Sequence, residues 1–186
     1  MDPVIVVGAG LSGVACARVL ADAGRPVVVL DRGRRIGGRM AVRRLGDRPV
    51  DLGASYLTVS DPGFADVVER WRGAGLARPW TDTFHVLEAG EAPAAKSGPV
   101  RWGTPGGLRT LVEDLATGLD VRRRTVAGVG PAGSRLQVDG AHASAVVLAM
   151  PDAQAARLLA ADAPEREVLN RPSEPVIALV ATYAER

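Results

Sequence analysis

The stretch "VIVVGAGLSG", Val4–Gly13, decides how the chain is read. Four apolar residues, three of them valine, run without alternation, as in a parallel strand buried on both faces. Gly8, Gly10 and Gly13 follow as G-x-G-x-x-G. The first permits a tight turn, the second lets backbone approach a pyrophosphate, and the third lets helix pack on strand. "VACARVLADAG" (Val14–Gly24) then carries small and apolar residues at helical spacing, with Gly24 as its stop. "PVVVLD" (Pro26–Asp31) is a second buried strand. Strand, glycine motif, helix, strand and terminal carboxylate in this order predict a βαβ dinucleotide-binding unit. Its helix N-terminus faces phosphate and Asp31 faces the adenosine ribose.

"GRRIGGRMAVRR" (Gly33–Arg44) puts five arginines and three glycines into twelve positions. Standing directly after the βαβ unit, it reads as a phosphate clasp. Gly37 and Gly38 permit close backbone approach, and Arg39 presents a guanidinium fork. The other arginines here read as a solvated basic face. A nucleic-acid partner is not expected, because the run has no interleaved aromatics and the whole chain carries a formal net charge of only +2.

Further on, "DPGFADVVERWRGAGL" predicts a helix with Asp61 as N-cap and Pro62 in its first turn. Residues 88–99 read as a polar loop, and "GGLRTLVEDLATG" as a second amphipathic helix. "DVRRRTVAGV", "SRLQVDG" and "SAVVLAM" are short strands, an antiparallel excursion before one more buried strand. "DAQAARLLA" is expected to be a helix capped by Asp152, and residues 175–186 a strand.

The 186 residues suffice for a self-supporting core, with 47% hydrophobic and 24% charged residues. Cys16 is the single cysteine and packs among alanines, so no internal disulfide forms. His85 and His142 have no ligand-spaced partners, and no metal site is expected. No G-x-S-x-G is present, nor a serine triad around Ser55 or Ser60. With neither a secretory leader nor a membrane-spanning run in the sequence, the expectation is a cytoplasmic protein.

Four segments together resemble the flavin-containing amine oxidase superfamily, and within it the renalase group. They are "GGRM" after the second strand, "DLGASYLTVSDPGF" (Asp51–Phe64), "WRGAGLARPW" (Trp71–Trp80) and "RWGTPGGLRTLVEDLA" (Arg101–Ala116). The resemblance implies an α/β fold: a Rossmann-like FAD-binding domain, a parallel sheet with an antiparallel excursion, from residues 1–56 and 101–160. A partial α+β substrate domain would come from residues 57–100 and 161–186. It implies FAD bound non-covalently, with Ser12 and Gly13 at the pyrophosphate and Asp31 at the ribose. Arg39 would hold the phosphates, and Gly53, Ala54 and Ser55 would lie beside the flavin ring. Val126 would meet the adenine through its backbone.

The activity implied is an FAD-dependent oxidase that takes hydride from a reduced nicotinamide and returns electrons to oxygen as hydrogen peroxide. No catalytic side chain is then required, because the flavin carries the chemistry. Amine oxidation, binding without turnover, and NAD(P) binding by the βαβ unit alone are the other readings. Ser55 stands where the group usually has glutamine, and Gly107 where methionine is common; both departures bear on the pocket or the ring environment. Family members continue well beyond the equivalent of residue 186, so the chain is expected to be C-terminally short.

Overall fold

The computed structural model describes residues 1–182. In chain order the elements are β1 (Val4–Val7), α1 (Leu11–Asp22), β2 (Val27–Asp31), β3 (Val42–Leu45), β4 (Arg48–Asp51), β5 (Leu57–Thr58), α2 (Pro62–Gly73), β6 (Arg78–Val86) and β7 (Ala94–Gly103). They continue with α3 (Arg109–Leu115), β8 (Asp120–Arg123), β9 (Val129–Ala132), β10 (Arg135–Val138), β11 (Ala141–Ala143), β12 (Ala145–Leu148) and α4 (Asp152–Ala155). Backbone contacts divide the chain into two units, residues 1–39 with 112–186 and residues 40–111.

The first unit is a four-stranded parallel sheet of order β12-β1-β2-β8. All four residues of β1 are buried, as its unalternated sequence predicts for a central parallel strand. Val14 and Ala17 bury the inner face of α1 completely. Ile5, Val7 and Leu30 form a core cluster with Val126, Val138 and Ala143. The antiparallel excursion is present as a separate sheet, β11-β10-β9. Asp139 (φ 45°) and Gly140 (φ 83°) form the two-residue turn between β10 and β11, which needs positive φ at both positions.

The second unit holds the β3–β4 hairpin, a three-stranded sheet of order β5-β7-β6, and α2. The Asp61 carboxylate accepts the Phe64 N–H at 2.8 Å, so α2 begins at its expected cap with Pro62 in the first turn. Val68 and Trp71 are its buried face, and Phe64 meets Trp71 edge-on at 6.1 Å.

Several expectations are corrected. Residues 94–99 are not loop; they form the outer half of β7, recruited by register pairing with β6, as in His85 with Ala95. "DVRRRTVAGV" is not one excursion strand: its first four residues join the parallel sheet as β8, and β9 starts at Val129. The glycine- and arginine-rich stretch after β2 forms a short 3-10 turn over Gly38–Met40 and then the β3–β4 hairpin. The helix over 152–160 is a single turn passing into 3-10 geometry, and its cap is Pro151, not Asp152. Residues 175–182 form no strand; they pair with no neighbour, and Val176, Ile177 and Leu179 are each more than 90% exposed. The remainder of that expected strand lies outside the described residues.

The division between units also differs from the boundaries read in the sequence. Residues 40–56 and 101–111 group with the second unit, through the β3–β4 hairpin and a bond from Leu108 to Asp51. Residues 161–186 group with the first unit, where Arg171 donates its N–H to the Asp152 carboxylate at 3.0 Å.

Candidate functional site

At the end of β1 the chain turns through Gly8, whose φ is +110°. A Cβ there would lie 2.6 Å from the Ala149 carbonyl oxygen. A Cβ on Gly13 would lie 2.0 Å from the Gly8 carbonyl oxygen. Both glycines are demanded by the protein's own packing. Gly10 is different. It is the N-cap of α1, with φ −76°, and its nearest neighbour to a Cβ would be 3.9 Å away. Nothing in the polypeptide requires glycine at that position, so the space beside it is the cradle a pyrophosphate would fill.

The same end of α1 has no side-chain cap and no acidic residue in its first turn. Among the described residues, the Leu11, Ser12 and Gly13 N–H groups have no acceptor. Ser12 is exposed there. Free donors and a positive dipole end make this an anion-binding terminus.

Gly37 and Gly38 act on this loop directly. The Gly37 N–H donates to the Ala9 carbonyl at 2.8 Å, and Gly10 and Gly37 form an isolated parallel bridge. A Cβ on Gly38 (φ +52°) would stand 3.0 Å from the Gly10 Cα. The second glycine pair therefore braces the first. Arg39 follows in the 3-10 turn, exposed and without an ion-pair partner among the described residues.

Asp31, at the end of β2, is already engaged. Its Oδ2 accepts the Ala9 N–H at 2.7 Å and its Oδ1 the Gly33 N–H at 2.6 Å. Each oxygen keeps one lone-pair direction for a ribose hydroxyl. Beside it opens a cleft of about 250 Å³ lined by Asp31, Arg34, Arg35, Ile36, Arg122 and Arg123, among others. Arg35 pairs with Glu113 and Arg122 with Asp120, whereas Arg34 and Arg123 have no ion-pair partner among the described residues. Val126 is 9% exposed, and its backbone N–H and carbonyl have no partner among the described residues.

The first unit thus brings together Gly8, Gly10, Ser12, Gly13, Asp31, Gly37, Gly38, Arg39 and Val126. Gly53, Ala54 and Ser55 belong to the second unit, in the exposed segment between β4 and β5. Two features there escape a reading of the sequence. One is Asp51, whose Oδ1 accepts the Leu108 N–H at 2.8 Å. Burial raises its carboxyl above the usual range, opposed by that hydrogen bond and by the charge of Arg109. The other is Arg101, which meets one ring on β6 and one just before β5. Gly107 is fixed by backbone and packing, not by a pocket: its φ is +84°, and a Cβ would meet Val42 at 2.6 Å. Among the described residues, no group of three or more histidine, cysteine, aspartate or glutamate side chains is placed to hold a metal. No described helix is long and apolar enough to cross a membrane.

The parallel sheet, glycine turn and terminal carboxylate define a Rossmann-type α/β fold. Residues 6–71 match the model of the NAD(P)-binding Rossmann-like domain. Over 55 residues the chain is 51% identical to flavin-containing amine oxidase B of Rattus norvegicus, a match covering 29% of this chain and 11% of the relative. It is 48% identical over 54 residues to polyamine oxidase 4 of Oryza sativa subsp. japonica, again 29% of this chain and 11% of the relative. Phytoene dehydrogenase of Streptomyces griseus is 44% identical over 73 residues, 38% of this chain and 14% of that protein. Among solved structures, a triple mutant of putrescine oxidase superposes with a TM-score of 0.65 at 16% identity, over 84% of this chain and 59% of that one. A fatty acid isomerase from P. acnes gives 0.67 at 13% identity, over 90% and 63%. The matched segments thus span little more than a tenth of the curated relatives' lengths. The likeness to the solved structures is one of fold.

Proposed function

We propose that the chain is an FAD-dependent oxidoreductase of renalase type, acting on a reduced nicotinamide. The observation that carries the cofactor is Gly10: a glycine that the fold does not need, at a helix terminus with free N–H groups. The bracing glycine pair with an unpaired Arg39 extends that site for a diphosphate. The rat relative is itself named a flavin-containing enzyme. The N–H groups of Leu11, Ser12 and Gly13 bind the pyrophosphate, and Arg39 neutralises it. Asp31 orients the ribose through its remaining lone pairs, and the Val126 backbone pairs with the adenine edge. The chemistry that FAD would supply there is acceptance of hydride from the substrate, with the electrons passing on to oxygen as hydrogen peroxide.

Amine oxidation is the rival activity, favoured by the names of the amine and polyamine oxidases above. Anaerobic mixing with dihydronicotinamide isomers should bleach the flavin. Bleaching by amines alone transfers the assignment to amine oxidase. A bound flavin that no donor reduces makes the chain a binding module. A second nucleotide reading rests on Arg34 and Arg123 beside Asp31, the chemistry that takes a ribose 2′-phosphate. It predicts that Arg34→Ala with Arg123→Ala weakens NADPH binding and leaves FAD binding intact.

A further inference from the structure

The second unit contains an arginine with unmet donors inside an aromatic cluster. Arg101 lies on the central strand β7, in register with Thr58 of β5 and Thr81 of β6. Its guanidinium carbon stands 4.1 Å from the Phe84 ring centroid and 5.6 Å from that of Tyr56. Phe84 meets Trp80 edge-on at 5.6 Å and Tyr56 at 5.7 Å, and Tyr56 and Trp80 are 6.4 Å apart. The margin of β5 and strand β6 therefore set two rings against one cation on β7, with Trp80 packed against both rings.

Trp80 owes its position to an irregularity. The β6–β7 register slips between Pro79 and Thr81, leaving Trp80 in the bulge. Bulges re-aim a side chain without ending the sheet. The ring is 55% exposed, a large apolar surface held at the edge of the cluster.

The guanidinium has no counterion among the described residues. Its Nε and Nη1 are sealed from solvent and make no hydrogen bond. Burying such donors without an acceptor is costly. Stacking on Phe84 satisfies the cation's face and leaves its in-plane N–H groups unanswered. Nη2 shares a donor edge with each of these sealed nitrogens, so an acceptor at either edge answers two donors once the cover over the sealed one shifts to admit it. That is the geometry of a carboxylate or phosphate. The neighbouring rings supply contact for a planar apolar body.

We infer that Arg101, Tyr56, Trp80 and Phe84 form a binding site for a small anion carried on a planar ring. The site selects against cationic amines, because a second cation would meet an uncompensated guanidinium. Resting on the oxidoreductase reading above, the further consequence is a substrate bearing a carboxylate or phosphate, not a diamine.

The test is a tryptophan-fluorescence titration of the full chain with benzoate, phenyl phosphate and benzylamine, compounds alike in their ring and different in charge. At least one of the two anions should quench saturably, and the tighter one assigns the acceptor; benzylamine should not bind. Arg101→Met should weaken anion binding by about tenfold or more, as loss of charge-assisted hydrogen bonds does. Arg101→Lys keeps the charge without the fork and should also weaken it, which decides the matter where the methionine variant fails to fold. Trp80→Phe should remove most of the quench. Equal binding of benzylamine, no binding of either anion, or a quench indifferent to Arg101 overturns the site. Visible flavin absorbance, read on the same samples, reports the cofactor separately. A colourless protein that still binds the anion refutes the flavin reading alone.

Discussion

Asp31 Oδ2 accepts the Ala9 N–H at 2.7 Å, so the carboxylate that ends β2 holds the glycine loop that ends β1. Its other oxygen holds the following turn through Gly33. A residue expected to face only a ligand is thus first a brace within the protein, and ribose recognition uses what the brace leaves over.

Asp31→Asn should therefore do two things. Asparagine has one acceptor oxygen, so one of the two backbone N–H groups loses its partner. Unfolding stability should fall by about 1–3 kcal/mol, the cost of a part-buried donor left unpaired. Flavin affinity should fall as well. Urea titration of the apoprotein separates the first effect from the second. A variant with weaker flavin binding and unchanged stability would mean that the carboxylate acts on the ligand alone.

Gly10 and Gly13 should part company. At Gly13 an added methyl group meets a carbonyl oxygen at 2.0 Å, and the strand–helix junction has to open. Gly13→Ala should lower stability by about 3 kcal/mol or more, within the range of severe overpacking. Gly10→Ala has room, so its melting temperature should stay close to the parent's. Its FAD affinity should nevertheless fall at least about tenfold, the measure of a phosphate contact displaced. Thermal melts with flavin titration of both variants give the comparison. Equal binding by Gly10→Ala would remove the argument for a pyrophosphate at this turn.

Local pattern explains what was legible in the sequence. β1, α1 and β2 declare themselves because each is built from near neighbours in the chain, and Gly8, Gly10, Gly13 and Asp31 lie within or at the ends of those elements. The outer half of β7 was not legible: residues 94–99 are exposed and carry no large apolar side chain, and they are strand only because β6 lies alongside. The converse error is at residues 175–182, where β-branched apolar sequence suggested a strand but pairs with nothing among the described residues. Asp51 and Leu108 are 57 positions apart, and Arg101 meets Tyr56 and Phe84 only through strand register. Such contacts leave no spacing to read.

Asp51 predicts a pH signature. Burial raises its folded pKa above the ordinary aspartate value, so the folded state retains a proton that the unfolded chain releases. The contribution of this group to stability is greatest at acid pH. It declines as pH rises from the unfolded value through the folded one, then levels off. Asp51→Asn keeps an oxygen to accept the Leu108 N–H and removes the titration. The difference in stability between variant and parent should move in the variant's favour across that window and become constant above it. Urea midpoints over the acid range measure this; a difference independent of pH would show that Asp51 does not titrate in this way.

Gly107 and Val42 should be coupled. A Cβ at Gly107 would lie 2.6 Å and 2.9 Å from the two Val42 methyl carbons, on a backbone with φ of +84°. Gly107→Ala carries two penalties, a left-handed backbone worth about 1–2 kcal/mol and the clash with Val42. Only the second is relieved by shortening the neighbour. Val42→Ala alone should cost about 1 kcal/mol or more through lost packing. The double variant should be more stable than the sum of the single effects predicts, by about 0.5–3 kcal/mol, the usual coupling of residues in contact. Additivity in a denaturant double-mutant cycle would place the whole cost in the backbone. Gly107→Met brings a longer side chain to the same position and should be worse than alanine, which is why the residue common in the resembling family cannot simply be restored here.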